Sequence, residues 1–248
     1  MQKSLRYTAG MRRARVLTEP WPWFALAGAL VAAGFYPTFF AVLPALDAPH
    51  LLHGSSATLW MLLPLVQYRL VRSGRRHLHR VVGYVSLLLA GTVVITGLRV
   101  VQLMASNKSL TDMNFVRGKF VLLDLTGLAL FCVFLGLAIQ AARRRDIGLH
   151  VRLLACTALI PLEAALERLL MNGFPTLVPD FGAGLTAALF SMEAICVLII
   201  AAEWRSGRVR WPLPTLLAYY VLTHILATPI ASQPAFQQFC RWYSQLGA

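Results

Sequence analysis

Charge is what this sequence lacks. Only 13% of its 248 residues are Asp, Glu, Lys or Arg, about half the roughly 25% usual in a soluble domain. Hydrophobic residues make up 58%, and the mean hydropathy is +0.64. That balance excludes an ordinary water-soluble globule and points to lipid as the solvent. Lysine occurs only at Lys3, Lys108 and Lys119. None lies in the last apolar run, which excludes a retinal Schiff base there. Cysteine is sparse too. Cys132, Cys156 and Cys196 fall in apolar runs and Cys240 lies near the end, which is neither a disulfide framework nor a zinc spacing. They read as small hydrophobes. No H-E-x-x-H or E-x-x-H occurs, so no metal site is assigned.

What is there is a series of apolar runs of about 20 residues, enough to cross a hydrocarbon core. Seven are expected: 22–45, 50–71, 79–104, 117–142, 150–172, 184–204 and 212–232. The breaks carry turn residues ("LDAPH", "FPTLVPDFGAG") or basic ones ("RSGRRHLHR", "RRRDIG"). The sequence therefore predicts an all-α polytopic bundle of seven transmembrane helices over 22–232. A basic segment at 1–21 precedes it and a short tail at 233–248 follows. The first run is longer than a cleavable signal core, so it reads as a retained anchor.

Lys and Arg set the orientation. Seventeen fall on one side of the seven-span arrangement and four on the other, with Arg99 and Arg168 inside the membrane. By the positive-inside rule the N-terminus is cytoplasmic and the C-terminus outside. The net charge of +13 is thereby absorbed by cytoplasmic loops, and nucleic acid is excluded as a partner. The bilayer is the expected partner. Trp21, Trp23, Trp204 and Trp211 fall at the cytoplasmic interface, where aromatic belts form.

Polar residues inside the membrane mark the candidate site. "IPLEAALERLLM", 160–171, places Glu163, Glu167 and Arg168 in the fifth run. A charge at a helix centre costs about 2.5–3.5 kcal/mol on the insertion scale. Glu163 and Glu167 share a face at i, i+4, with Cys156 seven residues before Glu163. Arg168 points about 100° away from Glu167, so its partner is expected on another helix. Arg99, Asp124 and Glu193 lie at comparable depth in other runs. Arg99, Asp124, Glu163, Glu167, Arg168 and Glu193 together predict a polar cavity in the outer half of the bundle. The alternative is separate structural ion pairs, Arg99 with Asp124 and Arg168 with Glu193. Pro64 and Pro161 are expected to kink their helices.

Histidines divide by depth. His53 and His224 belong to the outer half, His79 and His150 to the cytoplasmic ends of the third and fifth runs. Two imidazole pairs, one per leaflet, is the ligand count of a transmembrane di-haem b cytochrome, and the placement is similar to that of b561-type membrane cytochromes. The segments "HGSSATLWMLLPLVQYRLVRSGRRHLHRVVGY" and "LHVRLLACTALIPLEAALERL" also resemble bacterial multi-pass inner-membrane proteins grouped only as a domain of unknown function. The matching positions are His53, Gln67, His79, Arg80, Gly83, His150, Arg152 and Arg168. That resemblance implies a multi-pass bundle in an inner membrane and brings no activity. Three functions stay open. One is an electron-transfer protein with haem b on His53, His224, His79 and His150, meeting a redox partner or serving in a membrane complex. The second is a proton-coupled or small-solute transporter using the intramembrane carboxylates. The third is a metal-dependent intramembrane enzyme using the outer His and carboxylates.

Overall fold

The computed structural model describes residues 21–106 and 114–246. Among them the regular structure is entirely helical. The basic segment 1–20 lies outside the described residues.

The helices are α1 (Trp21–Phe35), α2 (Ala48–Arg72), α3 (Arg76–Ser106), α4 (Asn114–Arg143), α5 (Ile147–Leu159), α6 (Leu162–Gly173), α7 (Phe181–Arg205), α8 (Pro212–Ala231) and α9 (Pro234–Gln245). Five stretches are long and apolar enough to cross a membrane: Arg76–Ser106, Val116–Arg143, Ile147–Gly173, Phe181–Arg205 and Pro212–Ala231. They correspond to the third through seventh expected runs. Their outward faces are apolar, with Leu88, Ile95, Leu198 and Ile225 all exposed. In water this would be an aggregation surface; in lipid it is the ordinary exterior.

The first run departs from expectation. The run at 22–45 does not form one helix. α1 stops at Phe35, ahead of Tyr36 and Pro37, and the chain re-forms as a 3₁₀ turn at Phe40–Ala45. Proline disfavours helix at the residue before it. α2 is a single helix of 25 residues that continues through Pro64. His50, His53, Ser55, Ser56 and Gln67 give it a more polar sequence than the five apolar stretches. Pro161 does interrupt its run. α5 ends at Leu159 and α6 begins at Leu162, because proline supplies no N–H to the preceding turn. At this break the Tyr220 hydroxyl lies 3.4 Å from the Leu159 carbonyl oxygen and 3.5 Å from that of Ile160.

Residues 234–245 were expected as tail and instead form α9, which packs against α3, α4 and α8. Phe236, Cys240 and Tyr243 recur at helical spacing and pack on Val101, Ala105 and Val121. The Tyr243 hydroxyl donates to the Leu98 carbonyl at 2.6 Å. The Gln102 amide donates to the carbonyls of Tyr243 and Leu246.

Carboxylate caps start three helices. Asp47 accepts from His50 N at 2.9 Å, Asp146 from Leu149 N at 3.1 Å, and Asp180 from Ala183 N at 2.8 Å, each satisfying a first-turn donor. The backbone N–H of His50, then its ring, hold the Asp47 carboxyl below its ordinary range. Arg210 does the same for Asp146, helped by the Leu149 N–H.

Basic turns converge at one end. Arg152 Nε donates to Glu203 at 2.7 Å and its Nη2 to the Arg208 carbonyl at 2.9 Å, while Arg210 meets Asp146 at 2.6 Å. These bonds clamp the α4–α5 turn to the α7–α8 turn. The α2–α3 turn joins them, since His79 and His150 lie within electrostatic reach of each other. Gly74 and Gly207 take positive φ in two of these turns, a conformation cheap only for glycine.

At the other half of the bundle α1 and α6 come into backbone contact. A Cβ on Gly34 would lie 2.2 Å from the Ala165 carbonyl oxygen.

Candidate functional site

A cavity of about 640 Å³ opens in the half of the bundle opposite the basic turns. Its volume is that of a small-molecule site. α1 brings Phe35, and the segment before α2 brings Phe39 and Phe40. α2 contributes His53 and Met61, α3 Gly97 and Met104, and α4 Asp124 and Phe131. α6 supplies Glu163, Arg168 and Met171, and α8 supplies Tyr219 and Tyr220. Most of this wall is apolar, and its ionisable groups are few.

Glu163 is the anomaly on the wall. It is only 4% exposed, and its Oε1 is buried with no hydrogen-bond partner. It sits in the first turn of α6, a position the helix dipole favours for an acid. Asp124 is half-buried and faces the same cavity. The two carboxylates are close enough for their charges to interact. Among the described residues neither has a hydrogen-bond or ion-pair partner.

Arg168 lines the cavity, and its hydrogen bonds are local while its charge also reaches Asp124 and Glu163. Its Nη1 donates to Glu167 Oε2 at 3.1 Å and to the Ala164 carbonyl at 2.8 Å, and its guanidinium sits 4.6 Å over the Phe35 ring. This corrects the expectation of a partner on another helix. The long side chain curls back toward its own helix and reaches its neighbour. Glu167 is 2% exposed and packs beneath the wall, where a Cβ on Gly184 would meet its Cγ at 3.2 Å.

The other expected members lie elsewhere. Arg99 bonds Gln102 rather than Asp124, on the side facing α9. Glu193 pairs with His224 at 2.9 Å rather than with Arg168, and His224 packs edge-on to Phe190 at 4.4 Å. Neither Arg99, Glu193 nor His224 lines the cavity. Cys156 is buried in the central core, and both it and Glu163 act electrostatically on Tyr220.

The four histidines are each tied at Nδ1. His53 meets Thr96 Oγ1 at 3.2 Å. That hydroxyl donates its one proton to the Thr92 carbonyl at 2.6 Å, so His53 Nδ1–H is the donor. His150 Nδ1 donates to the Ala138 carbonyl at 2.9 Å. His79 Nδ1 lies 2.6 Å from the Gln67 amide, which turned with its nitrogen to the ring also accepts from Gly83 N at 3.2 Å. His53 alone of these four lines the large cavity, and none lines a second one of about 270 Å³ beside Asp146 and Trp211. Among the described residues no three of His, Cys, Asp and Glu form a group suited to a metal ion.

Tyr219 did not stand out in the sequence as a wall residue, and Tyr220 was legible only as the residue four before His224. Tyr219 donates to the Leu123 carbonyl at 3.0 Å and meets Thr126 at 3.2 Å. A pair of adjacent tyrosines in an apolar run was the available signal.

Among the described residues, fold and site define a helical bundle with five stretches long and apolar enough to cross a membrane and a carboxylate-bearing cavity between its helices. No family model, no curated protein and no solved structure matches the chain.

Proposed function

We propose that this chain is a multi-pass membrane protein that carries protons or small solutes, with Asp124 and Glu163 as the groups that hold them. One observation carries the reading: a nearly buried Glu163 with an unpartnered oxygen, on the wall of a cavity that also holds Asp124. An ionisable group inside a bundle is expensive and is kept where it does work. In this reading α1 and α2 complete seven spans, and the basic turns face the cytoplasm of an inner membrane with the C-terminus outside. The gathering of the basic turns at one end, two of them clamped together, supports that orientation. The cavity then opens toward the outer leaflet.

Proton or solute flux into proteoliposomes tests it. The wild-type chain should support flux, and Glu163→Gln should reduce it at least tenfold while the protein remains folded. Unchanged flux in folded Glu163→Gln protein would remove the reading.

A second reading, b-type haem, draws on the histidines. In His53, His150 and His224 the Nδ1–H donates, which leaves Nε2 as the lone-pair nitrogen of the neutral ring, the arrangement of metal-ligating imidazoles. Against it, neither cavity is lined by two of the four. An absorbance spectrum of protein expressed with ample haem decides: a Soret band and a reduced alpha band support it, and their absence removes it.

A further inference from the structure

The chemistry of the cavity wall selects among solutes. Three acidic side chains lie in or just behind it, Asp124, Glu163 and Glu167. The nearby cation, Arg168, gives its Nη1 to Glu167 and to a backbone carbonyl. Two carboxylates are left facing a largely apolar space, within electrostatic reach of Arg168 but bonded to no cation. A buried charge without a partner is costly, so a ligand that brings positive charge gains most from this wall. A cation favours the charged form of both groups, whereas an anion or a fatty acid opposes it.

Size and lining exclude a bare metal ion as the best occupant. About 640 Å³ far exceeds an ion's needs, and no ligand group of three exists among the described residues. Aromatic faces suit an organic cation. Phe39 and Phe131 are on the wall, and Phe35 already accepts a guanidinium over its ring at 4.6 Å. A cation over an aromatic face is attracted by the ring's quadrupole.

Building on the solute-carrying reading above, we propose that the cavity binds an apolar organic cation, its charge between Asp124 and Glu163 and its body against Phe39, Phe131 and Met104. The compound's class is an amine, phosphonium or quaternary ammonium group on a hydrophobic frame.

A pair of probes of matched shape and opposite charge tests this: tetraphenylphosphonium and tetraphenylborate. Equilibrium dialysis against the purified full-length chain in detergent should show saturable tetraphenylphosphonium binding, at least tenfold tighter than tetraphenylborate. Asp124→Asn and Glu163→Gln should each weaken it tenfold or more, while Glu193→Gln, outside the wall, leaves it unchanged. Equal affinity for the two probes would overturn the proposal, as would unchanged binding in both wall variants. The probe comparison needs no variant, so it stands even where a substitution impairs folding. Absent phosphonium binding alongside Glu163-dependent proton flux would overturn the organic-cation inference and leave the carrier reading intact. Phosphonium binding without any flux would support the site and count against carriage.

Discussion

Arg168 and Glu167, adjacent in the chain, form an ion pair with 3.1 Å between Nη1 and Oε2. The carboxylate is 2% exposed and the guanidinium about a third exposed. Removing one partner leaves the other uncompensated, which costs on the order of 3 kcal/mol. Arg168→Ala should therefore lower stability by about that amount, and adding Glu167→Gln should recover most of it. Denaturant unfolding in detergent measures both. A double variant no more stable than Arg168→Ala would dismiss the pair as a stabilising element.

Glu163 should behave in the opposite sense. Its Oε1 has no partner to lose, so neutralising it removes a desolvation penalty. Glu163→Gln is expected to raise the unfolding midpoint while abolishing flux, the usual trade at a functional site. A lowered midpoint would mean the carboxylate holds the fold together and would weaken its assignment to function.

Two glycines of α1 make a matched pair. A Cβ on Gly34 would lie 2.2 Å from a backbone oxygen of α6, whereas one on Gly28 meets nothing within 4 Å. Gly28→Ala should stabilise by about 0.5–1 kcal/mol through helix propensity. Gly34→Ala should destabilise by about 1–3 kcal/mol through overpacking. Equal shifts in thermal unfolding would contradict the close approach of α1 and α6.

Asp146 carries part of the pH dependence outside the spans. Arg210, then the Leu149 N–H, depress its folded pKa. A depressed acid contributes stability that is complete above its unfolded value, about 4, and is lost as pH falls through the folded value. The wild-type advantage over Asp146→Asn should accordingly hold constant above about pH 5 and shrink below about pH 4. Thermal unfolding of both across that window checks it; a gap that widens with acid would reverse the assignment.

Tyr243→Phe isolates the attachment of α9. It deletes the 2.6 Å bond to the Leu98 carbonyl, worth about 1 kcal/mol. Limited proteolysis should cut near Gln233 faster in the variant. An unchanged rate would mean Gln102 and the Phe236 packing hold α9 by themselves.

Membrane character, the apolar stretches and the gathering of basic residues into particular turns were legible in composition and run length. So was the height of Asp124, Glu163 and Arg168 along their helices, because an α-helix advances 1.5 Å per residue. α9 was legible too, in the spacing of Phe236, Cys240 and Tyr243, but its polar residues disguised it as tail. Which ionisable groups share one space was decided only by the tertiary structure. Lipid-facing and core-facing positions are both apolar in such helices, so periodicity does not mark the inner face. Arg99 and Glu193 sit at depths comparable to the site, yet turn to Gln102 and His224. Depth belongs to the sequence; direction around each helix belongs to the packing, and the pairing of Asp124 with Glu163 across one cavity depends on direction.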